Sequence, residues 1–384
     1  MSQLLVAFTI EVDNEFEQWM PHRTAATRAA GIAARGPWLA SLAMWLNFLQ
    51  YIPDPHTPDG ISLADLRQVS HLTKPQLSGM VRWGYVTVGG ASGTDASAVR
   101  AAVAAGGVIH RTSAGSKAAA HWRAALADVE SRWRDRYGSA LIADLRAALV
   151  GIAASLEPAA SPAGLPDYLP EVGPGFWMKD GLLASLPSPS APAPAVPPHA
   201  DVAGVVSLPT AMSRALLLFA LDFERRSPVS LVLYADFLSA FAQGPVRASD
   251  LSLATGVTPT TAQTACGFLE RSGWITTRPD PVLPRRKLYQ LTPAGTEMAR
   301  RAAADYREAL DSFRANPAGI LIAVADRMHA VGPAPLAAAL APPLAAWRAS
   351  IPFAAHTSAV RADPFAHLPR FPLVTHRGGY PDGS

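Results

Sequence analysis

The sequence predicts a mainly α-helical protein with two small β-hairpins (α+β), built as two similar halves. Three observations lead to that expectation. Apolar residues recur at helical spacing through most of the chain. Two long stretches repeat one order of elements. Between them lies "PSPSAPAPAVPP", Pro187 to Pro198, which has few backbone donors and reads as an extended, semi-rigid spacer.

Each half opens with apolar helices: "FTIEVDNEFEQWM" and "WLASLAMWLNFLQYI" in the first, "MSRALLLFALDFERR" and "SLVLYADFLSAFAQG" in the second. Next come a short helix, a turn, a second helix stopped at Gly84 or Gly273, and a strand led by an aromatic residue. A hairpin, a return strand, the step Thr-x-Ala-Gly and a long helix complete the unit. Leu66 matches Leu251, Gly84 matches Gly273 and Thr112 matches Thr292, at offsets of 185, 189 and 180. The first half is therefore shorter between its two small helices and longer in its hairpin, "GGASGTDASAVRAAVAAGG".

Local chemistry supports each boundary. Thr258-Pro259 supplies a cap and a first-turn proline, so a helix should run from Pro259 to Ser272. "WITTRPD" and "KLYQLTP" alternate like strands, and Thr292 caps the helix behind them. "NPAGILIAVADRMHAV" and "APLAAALAPPLAAWRAS" read as further helices. The expected division is residues 1–156, a Pro/Ala-rich linker over 157–210, a second domain over 211–350 and an irregular tail over 351–384.

Net charge is only +3, so global charge does not by itself announce a nucleic-acid partner. The lone Cys266 excludes an internal disulfide and a multi-Cys zinc site, and its apolar surroundings predict a buried, inert thiol. The N-terminus lacks the basic, cleavable pattern of a signal peptide, and no uninterrupted apolar run approaches the ~18 residues of a membrane span. A cytoplasmic chain without a membrane partner is expected. Enzyme chemistry finds no foothold: "GGASG" lacks the strand-turn-helix context of a phosphate loop, and the ten His form no cluster of ligand spacing. No cofactor or metal is expected.

The segment "DLSLATGVTPTTAQTACGFLERSGWITTRPDPVLPRRKLYQLTPAGTEM" resembles the winged helix-turn-helix of the multiple-antibiotic-resistance regulator (MarR) family. The first half resembles it more weakly, through "DLRQVS", "RWGYVTV" and "HRTSAGSKAA". The resemblance implies two winged helix-turn-helix domains in a pseudo-dimer, one chain replacing the family's homodimer, present as a monomer or as a homodimer. It implies double-stranded DNA as partner. Thr260, Thr261, Gln263 and Thr264 on the recognition helix would face base edges, and Arg278, Arg285, Arg286 and Lys287 in the wing would meet phosphates or the minor groove. Asp280 would orient one of those arginines. Lys74, Gln76 and Arg82 form a weaker first-half set. The chain departs from the family pattern at Thr264 and Phe268, where basic residues are frequent, and in "DPVLPRR", where a second Asp commonly precedes the arginines.

Alternatives stand beside these expectations. Val246 to Arg301 holds eight basic and four acidic residues, an electrostatic footprint or merely a solvated loop on a retained scaffold. Phe16, Trp19, Trp38 and Trp45 either belong to a core or line a pocket for an apolar or aromatic effector. "EVDNEFE" reads best as a solvated helix face, with pairing to arginines as the other option. A scaffold that holds a partner protein or a small molecule without binding DNA is the competing function.

Overall fold

A computed structural model describes residues 1–19, 49–56, 60–70, 77, 80–81, 84–89, 96–160, 206–257, 259–315, 318–340, 354–368 and 370. The first half contributes α1 (Ser2–Trp19), α2 (Leu63–Ser70), β1 (Val86–Val88), α3 (Ala96–Ala104), β2 (Ile109–Arg111), α4 (Ser113–Tyr137) and α5 (Ser139–Ala160). The second contributes α6 (Leu208–Arg226), α7 (Leu231–Ala242), β3 (Val246–Arg247), α8 (Leu251–Thr255), α9 (Pro259–Arg271), β4 (Ile275–Pro279) and β5 (Lys287–Leu291). It continues with α10 (Pro293–Ala315), α11 (Ala318–Ala330), α12 (Ala334–Ala339), α13 (Ala354–Ala362) and α14 (Pro364–His367). A wide π-type turn over Tyr234–Leu238 interrupts α7.

β1 and β2 pair antiparallel, Val86 opposite Arg111, and Ile61 adds a single bridge to Ile109. In the second half β3, β5 and β4 form a three-stranded sheet in that order, with Val246 opposite Tyr289 and Ile275 opposite Leu291.

Both Thr-x-Ala-Gly steps build one joint. Gly273, just past the end of α9, has φ of 72°, and Gly84, just before β1, has φ of 80°, a region open chiefly to glycine. The Thr112 hydroxyl donates to Gly84 O (2.6 Å) and accepts from Gly115 N (3.0 Å). The Thr292 hydroxyl donates to Gly273 O (2.7 Å) and accepts from Gly295 N (3.0 Å). Thr112 N donates to Tyr85 O and Thr292 N to Trp274 O, each at 3.0 Å. The glycine of the motif is dictated by this closeness: a Cβ on Gly115 would lie 2.0 Å from Tyr85 O, and one on Gly295 1.8 Å from Trp274 O.

The packing repeats as well. α1 lies against α4 as α6 lies against α10. Phe8 meets Trp133 edge-on at 5.2 Å, and Phe219 meets Phe313 edge-on at 5.5 Å. The halves are not separate globules. α5 packs on both α6 and α11, α1 touches α6 and α12, and one continuous buried cluster includes residues of both. Within α5, the stretch Ser139–Leu156 is long and apolar enough to cross a membrane by length and composition. Here Leu141, Ile142, Leu145, Leu149 and Ile152 are buried inside the protein.

Four features differ from the sequence expectations. Between β1 and β2 the expected loop contains α3, because "ASAVRAAVA" is rich in the strongest helix former and buries Val99. The tail contains α13 and α14, which pack on α8 and α12, and Gln3 Nε2 donates to Phe365 O (2.9 Å) and Leu368 O (3.1 Å). Glu11 does not lie on a solvated face. It is 8% exposed and accepts from Arg132 Nε (2.7 Å), Trp133 Nε1 (2.9 Å) and Arg136 Nη1 (2.9 Å). Arg136 Nη1 also donates to Pro335 O (3.3 Å), which ties this knot to the second half. A buried carboxylate needs such partners, and only the fold brings them to it. Helix α5 runs to Ala160 and α6 starts at Leu208, so both reach into the 157–210 span read as linker; residues 161–205 lie outside the described residues.

Candidate nucleic-acid interface

Helix α9 is amphipathic. Ala262, Ala265, Cys266 and Leu269 are buried, and Gln263 and Thr264 are exposed on its outer side. Phe268 packs edge-on against Trp274 at 6.4 Å, which seats α9 on the start of β4. Burial pushes the Cys266 thiol up to about 12, with the Glu270 carboxylate adding to the shift, so the thiol stays protonated at neutral pH. Thr260 and Thr261 fall within the helical backbone, but their side chains lie outside the described residues. The last turn of α9 meets the hairpin directly, where the Thr277 hydroxyl hydrogen-bonds the Glu270 carboxylate.

The β4–β5 hairpin is the predicted wing. Arg278 on β4, Arg285 and Arg286 in the turn, and Lys287 at the start of β5 are all exposed. The turn between the strands is internally braced. Asp280 N donates to Arg286 O (2.9 Å) and Arg286 N to Leu283 O (2.7 Å). The Asp280 carboxylate accepts from Val282 N (2.8 Å) and Leu283 N (3.3 Å).

Asp280 does not orient a wing arginine as expected. It is 1% exposed, and its charge partner is Arg247 on β3, whose Nε hydrogen-bonds it. The Arg247 bond, helped by the two backbone donors, holds the Asp280 carboxyl below its ordinary value. The one acidic group in the turn is thus neutralised from beneath, and Arg285 and Arg286 remain exposed. Arg247 is the residue the sequence did not single out: it sits 33 positions before Asp280, and only the β3–β5 pairing brings it there.

A second feature is an aromatic cavity of about 410 Å³ between α6, α7, α10 and α11, closed in part by Met1 and Ser2 at the start of α1. Phe219, Tyr234, Tyr306 and Phe313 line it. Tyr306 contacts Phe219 at 5.4 Å and Tyr234 at 5.5 Å, while Asp326 and Arg370 add charge to the lining. Burial raises both the Tyr234 and Tyr306 hydroxyls, so they stay neutral. In the second half, aromatics at helical spacing thus surround a cavity. Phe16 and Trp19 lie on α1 with side chains outside the described residues. Trp38, Trp45, Lys74, Gln76 and Arg82 lie outside the described residues altogether.

No protein-family model matches the sequence, and no curated protein matches it. Solved structures similar to part of the chain include the following three. A mutant form of ZitR from Lactococcus lactis is 17% identical over 20% of this chain and 53% of its own, with a TM-score of 0.20. A probable transcriptional regulator from Pseudomonas aeruginosa is 23% identical over 28% of this chain and 81% of its own, with a TM-score of 0.26. A transcriptional regulator from Thermotoga maritima is 20% identical over 27% and 75%, with a TM-score of 0.22. The chain thus spans about half the length of the ZitR structure.

Proposed function

We propose that this chain is a DNA-binding transcriptional regulator of MarR-like type, in which the second half presents the DNA-facing surface. The observation that carries the reading is the braced cationic wing beside α9: Arg278, Arg285, Arg286 and Lys287 exposed, with Asp280 neutralised by Arg247. In the proposed complex α9 enters the major groove, Gln263 and Thr264 face base edges with Thr260 and Thr261 ahead of them, and the wing cations meet phosphates. The two halves act as a covalent pseudo-dimer, joined through α1, α5, α6 and α11. Only one of them carries a cationic wing, because α3 with its single Arg100 occupies that place in the first half. A site read mainly through one half-site follows, without the palindrome that a symmetric homodimer would favour.

The test is a fluorescence titration on duplexes tiling the DNA upstream of the protein's own coding sequence. Replacing Arg285, Arg286 and Lys287 together by Ala should weaken binding across all sequences and lower the log–log salt slope by up to about 3, since each phosphate contact contributes about 0.9. Unchanged affinity and slope would remove the wing from the mechanism.

The cavity supports a regulatory ligand of apolar or aromatic character, held mainly by helices of the second half. Such a compound should raise the melting temperature of the wild type. Ala325→Trp, which fills the cavity from α11, should abolish that shift while leaving the fold intact.

A further inference from the structure

We propose that the tip of the wing is an apolar wedge that enters the minor groove and bends the duplex, an inference that rests on the DNA-binding reading above. Among the described residues, seven large hydrophobic side chains are exposed, and Val282 and Leu283 are the one pair adjacent in sequence. Val282 is 71% exposed and Leu283 43%, and exposed Pro281 and Pro284 flank them. A solvated turn has no need of this composition; Gly, Asn or Ser would close it without placing apolar surface in water.

The tip is also held in shape. One carboxylate beneath it, Asp280, takes the amides of both Val282 and Leu283, and the two prolines fix their own φ angles. The Arg286 N to Leu283 O bond closes the other side. Little conformational entropy therefore remains to be lost when the tip inserts.

The occupant follows from the charge around the tip. Arg278 stands on the incoming strand, and Arg285, Arg286 and Lys287 on the outgoing side, so cations frame the apolar pair. Two phosphate backbones flanking a groove floor of stacked bases match that pattern, cation to phosphate and side chain to base step. Apolar side chains driven into the minor groove unstack a step and kink the duplex toward the major groove. Pyrimidine–purine steps deform at the least expense. The wedge would therefore confer a preference for such a step beneath the tip, without any hydrogen bond to a base.

The experiment uses the full chain and an upstream duplex that it binds, labelled at both ends for energy transfer. Wild type should shorten the end-to-end distance. Val282→Ser with Leu283→Ser, both at exposed positions, should keep the melting temperature, lose the bend, and weaken binding about threefold to tenfold. The variant should also lose discrimination between a TA or CA step and a GC step under the wing. A double variant that bends DNA as wild type does overturns the wedge, as does wild type that binds DNA and leaves it straight. Wild type that binds none of the upstream duplexes overturns the DNA-binding reading itself, and the wedge with it. Binding to vesicles of phosphatidylglycerol and phosphatidylcholine that the double variant loses, with DNA behaviour unchanged, would reassign the tip to a lipid surface.

Discussion

The two halves of the chain agree where the backbone is joined and differ where it reaches outward. At the joint the hydrogen bonds of Thr112 and Thr292 match within about a tenth of an ångström, and each glycine three residues on faces an aromatic residue's carbonyl. Between the strands that follow, the first half grows an alanine-rich helix and the second a braced, cationic turn. The joint fixes how a long helix leaves a hairpin. The segment inserted in the hairpin is free of that duty, so new chemistry arises there without disturbing the core.

The sharpest expected difference between the halves lies in their charge pairs. Glu11 on α1 is buried beneath Arg132, Arg136 and Trp133. Asp222, on α6 of the second half, pairs with Arg226 with a side chain 29% exposed. Glu11→Ala should lower the unfolding free energy by about 3–5 kcal/mol, because it strands buried donors. Asp222→Ala should lower it by less than about 1 kcal/mol. Urea melts of the two variants measure the contrast directly, and equal losses would refute the claim that the buried Glu11 knot contributes more than the partly exposed Asp222 pair.

The glycines of the joint test the likeness instead. Gly115→Ala and Gly295→Ala each place a methyl against a backbone carbonyl that cannot rotate away. Each should reduce stability by about 1–3 kcal/mol, and by similar amounts in the two halves. Thr112→Ala and Thr292→Ala remove the cap and should each reduce it by about 1 kcal/mol. A large inequality within either pair would mean that the joints share geometry and not energetics.

Much of this joint was legible in the sequence, because capping, helix stops and strand alternation act over a few residues. Thr292, Gly273 and the strands around the wing could be read for that reason. The reason for Gly295 could not, since it depends on Trp274 O lying 1.8 Å from a Cβ that is absent. Helix α3 was hidden by the glycines around "ASAVRAAVA", which suggest a loop although the segment itself favours a helix. α13 and α14 were hidden by composition in the same way, their order coming from contacts with α8 and α12. The least legible features are pairings across long separations. Glu11 meets Arg132 at a distance of 121 residues, Arg247 meets Asp280 at 33, and the aromatic cavity collects residues from five helices. Periodicity can say that Glu11 and Phe219 lie on helices; it cannot name what faces them.

The smallest expected effect is confined to the wing tip, and it isolates what the first half lacks. Asp280 has a carboxyl held below its ordinary value of 3.8, mainly by Arg247. Its ionised form therefore favours the braced turn, fully so above the unfolded value, and that contribution disappears as pH falls through the lower folded value. Between pH 8 and 5 the tip should not change; below about 4 it should loosen. Amide exchange of Val282 and Leu283 reports this, and both amides should exchange faster in acid, after correction for intrinsic rates. Asp280→Ala should reproduce the loosening at neutral pH. Asp280→Asn, which keeps an acceptor but loses the charge, should fall between the two. The β1–β2 amides of Thr87 and Val88 should respond less, because the carboxylate at that hairpin, Asp54, pairs with the Arg111 side chain at 2.9 Å and is itself half exposed. A parallel acid response in both hairpins would show that the fold is loosening as a whole, and that Asp280 is not the group responsible.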